Sequence, residues 1–184
     1  MRIIAGAYKG RTLKSPPSLH VRPTSDRLRE TLFNVIAPRI SDARFLDLCA
    51  GTGAVGIEAL SRGAAQTTFV DRSRKSCTLI ESNVALCRIP EEQAEIYNSD
   101  AADFLRQAVS WKMKTWNIIY YDPPYKDDPI PLIKLIAVNQ AQLLSDEGIV
   151  ILEHHHKLEL PEVLGKLDKK RVLKQGDSSL SFFA

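Results

Sequence analysis

Two short stretches place residues capable of chemistry at meaningful spacing. The first, LDLCAGTGAVG from Leu46 to Gly56, sets Asp47 four positions ahead of a Gly51-x-Gly53-x-x-Gly56 loop, with Asp71 following 20 positions after Gly51. Glycines between a strand and a helix let the chain turn sharply and let a ligand approach the backbone, while a carboxylate such as Asp71 can accept from two ribose hydroxyls. In the second, Asp122-Pro123-Pro124-Tyr125 follows the apolar run NIIYY. The prolines hold the chain extended, so the Asp122 carboxylate and the Pro123 carbonyl stand as acceptors beside an aromatic face. An exocyclic amine on a flat ring, with two N–H donors, complements that arrangement.

The glycine spacing alone fits a nicotinamide dinucleotide. Asp47 argues otherwise, because a carboxylate aimed at the loop repels a pyrophosphate and favours a ligand with a cationic end. S-adenosylmethionine, which carries an ammonium and a sulfonium, is the expected cofactor. Asp71 suits both ligands and also fits a helix cap. Asp100, in NSDAADFL, is placed to accept from an adenine amino group, and it is equally a good helix N-cap.

The elements that must position these residues alternate. RFLDLC, TTFVD, AEIYN, WNIIYYD and GIVILEH read as strands. AVGIEALSR, SRKSCTLIESNVALC, AADFLRQAV and IPLIKLIAVNQAQLL read as helices between them. Short apolar strands separated by helices predict an α/β fold with a mostly parallel central sheet covered by helices on both faces. The closing KLDKKRVLKQGDSSLSFF predicts an antiparallel hairpin turning at Gly176-Asp177. Residues 1–43 read as a basic appendage to a single domain spanning 1–184. It comprises two β-like runs flanking Gly6 and Gly10, an extended proline segment, and a helix starting near Thr24 to Asp26 that buries Leu28, Leu32 and Val35.

Charge is unevenly spread. Residues 1–44 hold nine Lys/Arg against three Asp/Glu, a balance of +6 within a chain of net charge +3. A basic arm beside a slightly acidic body points to a polyanion as partner, with Lys9, Arg11, Arg27 and Arg29 as candidate contacts. Three cysteines without a C-x-x-C pair provide neither a disulfide framework nor a zinc knuckle. With no apolar run long enough for a membrane span and no signal-peptide core, a soluble cytoplasmic protein is expected, free of membrane contact. The run Glu153-His-His-His156 predicts surface or strand-end residues and no metal, since neighbouring side chains on a strand alternate faces.

DLCAGTGAVGIEALSRGA together with DPPY resembles the class I methyltransferases that act on exocyclic amines of nucleic-acid bases. The opening RIIAGAYKGRTLKSP, then RPTSDRLRETLFNVI, and the closing GDSSLSFF resemble one branch, the bacterial small-subunit rRNA guanine-N2 methyltransferases of the RsmD type, along essentially the whole chain. That resemblance implies a Rossmann-like fold and methylation of one guanine N2 in 16S rRNA, within an assembling small subunit; the sequence leaves the oligomeric state open, with a monomer favoured. It places Asp47, Ala50, Gly51, Gly53, Asp71, Arg72, Asp100 and Ala101 around S-adenosylmethionine, with Asp122 touching both cofactor and base. Asp122, Pro123, Pro124 and Tyr125 become the catalytic loop, and Arg22 and Thr24 close over the methionine end. Methylation of adenine N6 or of a glutamine amide, and a non-catalytic RNA-binding assembly factor, are the competing readings. An appendage of about 40 residues is small for the ~1,000–2,500 Å² interface of a sequence-reading DNA enzyme.

Overall fold

A computed structural model describes residues 1–15 and 26–184. Five parallel strands form its centre: β1 (Arg44–Leu48), β2 (Gln66–Asp71), β3 (Ala94–Asn98), β4 (Trp116–Tyr121) and β5 (Leu144–His155). Three more, β6 (Val163–Leu164), β7 (Leu167–Gln175) and β8 (Ser178–Phe183), extend it antiparallel in the order β3-β2-β1-β4-β5-β8-β7-β6. The chain winds outward from β1 to β3, then returns to place β4 beside β1. That reversal opens a crevice at the carboxyl ends of the two strands.

Strand alternation sorts the core into two layers. Phe45, Phe69, Ile118, Tyr120, Ile149 and Ile151 face α1 (Asp26–Ile40), α2 (Ala54–Ser61) and α3 (Arg74–Cys87). Leu46, Leu48, Val70, Ile119, Val150 and Leu152 face α4 (Ala101–Ser110) and α5 (Ile130–Val138). Both faces are thus buried, which is why these strands read as continuous apolar runs. Cys77 and Cys87 are buried on the inner side of α3. No helix among the described residues is long and apolar enough to cross a membrane.

Two elements depart from expectation. The predicted single helix IPLIKLIAVNQAQLL breaks into α5 and α6 (Gln140–Leu143) at Asn139, whose Nδ2 donates to the Leu135 carbonyl at 2.8 Å. An asparagine amide competing for a helical carbonyl offers the backbone an exit. The N-terminal runs form one isolated bridge, Arg2 with Thr12, closed by Ile3 N–H to Arg11 O at 3.0 Å and Leu13 N–H to Met1 O at 2.9 Å. Side chains hold this hairpin on the domain: the buried Glu58 carboxylate accepts from Ile4 N–H at 2.8 Å and Ala5 N–H at 3.0 Å. The helix expected to begin near Thr24 to Asp26 is described from Asp26 onward, while Thr24 lies outside the described residues.

Candidate active site

A cleft of about 670 Å³ opens where β1 and β4 diverge. Asp47 lies at its floor, 1 % exposed, with Oδ2 accepting from Gly56 N–H at 2.9 Å. Burial, reinforced by the nearby Asp71 charge and opposed by the Gly56 bond, lifts its pKa from 3.8 to about 7. The glycines divide their duties. Gly53 starts α2 with φ of 76°, a left-handed turn that costs a side-chain-bearing residue. At Gly56 an added Cβ would stand 2.3 Å from a Phe69 ring atom, so the third glycine lets α2 pack on β2.

Asp71 and Asp100 each combine a structural bond with a place on the cleft wall. Asp71 accepts from Gly51 N–H at 2.9 Å and Ser73 N–H at 2.8 Å, bracing the glycine loop against the next turn. Asp100 caps α4 by accepting from Ala102 N–H at 2.8 Å. Ala50, Gly51, Arg72 and Ala101 also line the cleft, whereas Gly53 sits behind its wall. Cys49, between Asp47 and the loop, has its thiol pushed up to about 12 by burial and by the charges of Asp71, Asp122 and Asp47. A thiol held neutral in this way is no nucleophile.

On the opposite wall, Asp122 leaves β4 with its N–H donating to Leu48 O at 3.3 Å, and Asp127 N–H to Pro124 O at 2.8 Å turns the loop back. Pro123, Pro124 and Tyr125 line the same cleft. Tyr125 is 47 % exposed, yet its hydroxyl pairs with Ser178 Oγ at 2.7 Å and its ring meets His155 edge-on at 5.6 Å between centroids. Neither Ser178 nor Glu153 figures among the sequence-derived site residues, although both line the cleft. They come from β8 and β5, some 50 and 30 positions from the loop they adjoin, so no local motif links them to it.

The histidine run sits at the end of β5, the second of the two places expected for it, and His154 is not at the surface. His154 is 5 % exposed, with Nε2 against Ser181 Oγ at 2.8 Å, and burial holds its imidazole below the ordinary range. Because β5 ends at His155, strand alternation stops there, and the His155 and His156 rings stack at 4.5 Å. Together with Asp177 they bring three possible metal-ligand atoms within 4.8 Å of one another. Only two of the three histidines take part, since His154 turns away to Ser181, so the run does not present all three rings to one point.

The basic arm needs a second correction. Arg29 is fully buried, donating to Arg2 O at 2.5 Å and Asp26 Oδ1 at 3.0 Å, with Nε 3.7 Å from Glu58. Spacing on α1 turns it inward beside Leu28 to neutralise a buried carboxylate, so it is withdrawn from the candidate RNA contacts. Arg11 is partly buried, bonded to the Cys87 carbonyl and lying 5.1 Å over the Tyr8 ring. Lys9 and Arg27 are exposed. Arg22 and Thr24 lie outside the described residues.

A doubly covered, mostly parallel sheet, a glycine loop after β1, and an Asp-Pro-Pro-Tyr loop after β4 together define the class I methyltransferase architecture. Within that class, the Conserved hypothetical protein 95 family matches residues 1–184, and the chain belongs to it. It is 37 % identical to Bacillus subtilis YlbH over 184 residues, covering all of this chain and 98 % of that protein. With Escherichia coli (strain K12) ribosomal RNA small subunit methyltransferase D it shares 40 % identity over 164 residues, 89 % of this chain and 79 % of the relative. The solved structure of yhhF from Escherichia coli superposes with a TM-score of 0.83 at 36 % identity, covering all of this chain and 96 % of that one.

Proposed function

We propose that this protein transfers a methyl group from S-adenosylmethionine to the exocyclic N2 amine of a guanine in small-subunit ribosomal RNA. The observation that carries the reading is the convergence of two motifs, 66 positions apart at Asp122 and Gly56, on one cleft. One wall is acidic, with Asp47, Asp71 and Asp100, and fits a cationic nucleoside cofactor better than a pyrophosphate. The other offers an acceptor pair and an aromatic ring for a base amine. Family membership supports an RNA substrate, since the Escherichia coli relative is named for methylation of small-subunit rRNA.

The cofactor, when bound, supplies the methyl group and a sulfur leaving group. The rest is positioning by the chain. Guanine N2 is a weak nucleophile because its lone pair is delocalised into the ring. Asp122 and the Pro123 carbonyl accept hydrogen bonds from its N–H groups and orient the lone pair toward the cofactor's methyl, with Tyr125 stacked on the base; as the N–C bond forms and the C–S bond breaks, the surplus N2 proton leaves by way of Asp122 to solvent. The tether from the Tyr125 hydroxyl to Ser178 fixes that ring before substrate arrives. A base held this way must be splayed from the RNA stack, which suits a half-exposed ring at the cleft mouth.

Tritium transfer from labelled S-adenosylmethionine to unmodified small-subunit particles, naked rRNA and DNA, followed by nucleoside analysis, tests the reading. N2-methylguanosine from ribosomal RNA is the expected product; N6-methyladenosine, or no product on any substrate, overturns it. In parallel, S-adenosylhomocysteine should raise the melting temperature and nicotinamide dinucleotides should leave it unchanged.

Of the candidate phosphate contacts, Lys9 and Arg27 are exposed. Replacing both by glutamine is expected to weaken particle binding and to flatten its logarithmic salt dependence by about one unit per lost phosphate contact, with S-adenosylhomocysteine affinity unchanged. An unaltered slope in a filter-binding titration removes the pair from the RNA surface.

A further inference from the structure

We propose that Glu153 makes the site selective for guanine by accepting the base's N1–H while Asp122 holds the N2 amine, an inference that rests on the guanine-N2 reading above. Tyr121 of β4 is in register with Leu152 of β5 in a parallel pair, so positions 122 and 153 stand side by side at the carboxyl edge of the sheet. Alternation places Glu153 on the same face as Ile149 and Ile151, over Tyr120, and both Tyr120 and Glu153 line the cleft. A carboxylate only 4 % exposed at the end of an apolar strand is costly to bury and calls for donors. Tyr120, itself 1 % exposed, donates its hydroxyl to Glu153 Oε2 at 2.5 Å, which fixes the carboxylate's direction. A carboxylate has about four acceptor positions, so a base N–H can share Glu153 with its protein partners.

The spacing suits one base edge. Neighbouring strands lie about 4.8 Å apart. Acceptors at ordinary hydrogen-bond length from guanine N1–H and from the outer N2–H stand roughly 6 Å apart. Carboxyl groups at the ends of adjacent strands can therefore reach the paired donors of one guanine edge. Adenine and cytosine present a lone pair at the equivalent ring nitrogen, and a carboxylate facing it gains nothing and repels. Glu153 is thus a specificity-determining residue: it recognises the ring N–H and takes no part in methyl transfer itself.

The test is a substrate–enzyme cycle. Nucleoside analysis of the wild-type product first locates the methylated guanosine; small-subunit particles are then reconstituted with 2-aminopurine at that position, which keeps the N2 amine and replaces N1–H by a lone pair. Single-turnover transfer by wild type, Glu153→Ala and Glu153→Gln is measured on both particles, along with S-adenosylhomocysteine affinity and thermal melting. For wild type, 2-aminopurine is expected to cost on the order of 10- to 100-fold in rate over affinity. Glu153→Ala should show almost no such discrimination, and Glu153→Gln, which retains a carbonyl acceptor for either Tyr120 or the base, should fall between them. If both variants retain the full wild-type penalty for 2-aminopurine, or if wild type shows none, Glu153 does not read N1–H, even with guanine N2 as the methylated atom. A wild-type product other than N2-methylguanosine overturns the parent reading and this one together.

Discussion

Asp122→Ala is expected to slow methyl transfer by on the order of 10²-fold or more, with S-adenosylhomocysteine affinity altered only a few-fold. The loop backbone should survive the change, because it is set by Asp122 N–H to Leu48 O, by two prolines and by the Asp127-to-Pro124 turn, none of which needs the carboxylate. What disappears is an acceptor aligned with the amine before the reaction starts, and water entering the truncated pocket is a poor replacement for a fixed one. Asp122→Asn keeps an amide oxygen that accepts, so its activity should exceed that of the alanine variant. Single-turnover transfer to unmodified small-subunit particles, with cofactor affinity measured by calorimetry, decides the matter. Full activity in Asp122→Ala removes the carboxylate from the reaction, whatever the cofactor.

Asp47→Asn is expected to move stability and cofactor affinity in opposite directions. The folded-state pKa of Asp47 is raised from 3.8 to about 7, chiefly by burial. Between these limits the folded protein holds a proton that the unfolded chain has released. Stability of the cofactor-free protein therefore falls as pH rises from about 4 to about 7, and the penalty is complete above that window. A rise of that size in one carboxyl group destabilises the fold by at most about 4 kcal/mol. Asparagine carries no charge and still accepts from Gly56 N–H, so the variant should unfold at higher urea than wild type at pH 8 and at similar urea near pH 4. Cofactor binding responds in the reverse sense: losing a buried partner for the ammonium should weaken S-adenosylhomocysteine about 10- to 100-fold at pH 8. Wild-type affinity should decline below pH 7 as Asp47 protonates, and the variant's should stay flat across the same range. A variant that binds as tightly as wild type at pH 8 would show that Asp47 only orders the glycine loop.

The sequence by itself determined the parallel sheet, the order of its elements and the two motifs of the cleft, because each depends on signals within about 20 residues. Continuous apolar strands require cover on both faces, glycines and prolines set local backbone geometry, and a carboxylate after a strand ends up at the sheet's edge. Even so, the sequence left the duties of those carboxylates mixed: Asp71 and Asp100 cap turns and face the cleft at once. Tertiary structure alone decided which charges are neutralised inside. Arg29 and Arg27 are neighbours on one helix, yet Arg29 is buried against Glu58 and Arg27 is exposed. Helical periodicity identifies an inward position, but whether an arginine there meets a carboxylate depends on α2, packed from elsewhere in the chain. The same holds for Ser178 behind Tyr125 and for Glu153 beside Asp122. These neighbours stand 53 and 31 positions apart in the chain, brought together by the register of distant strands, which is fixed by the packing of whole faces and which no local pattern records.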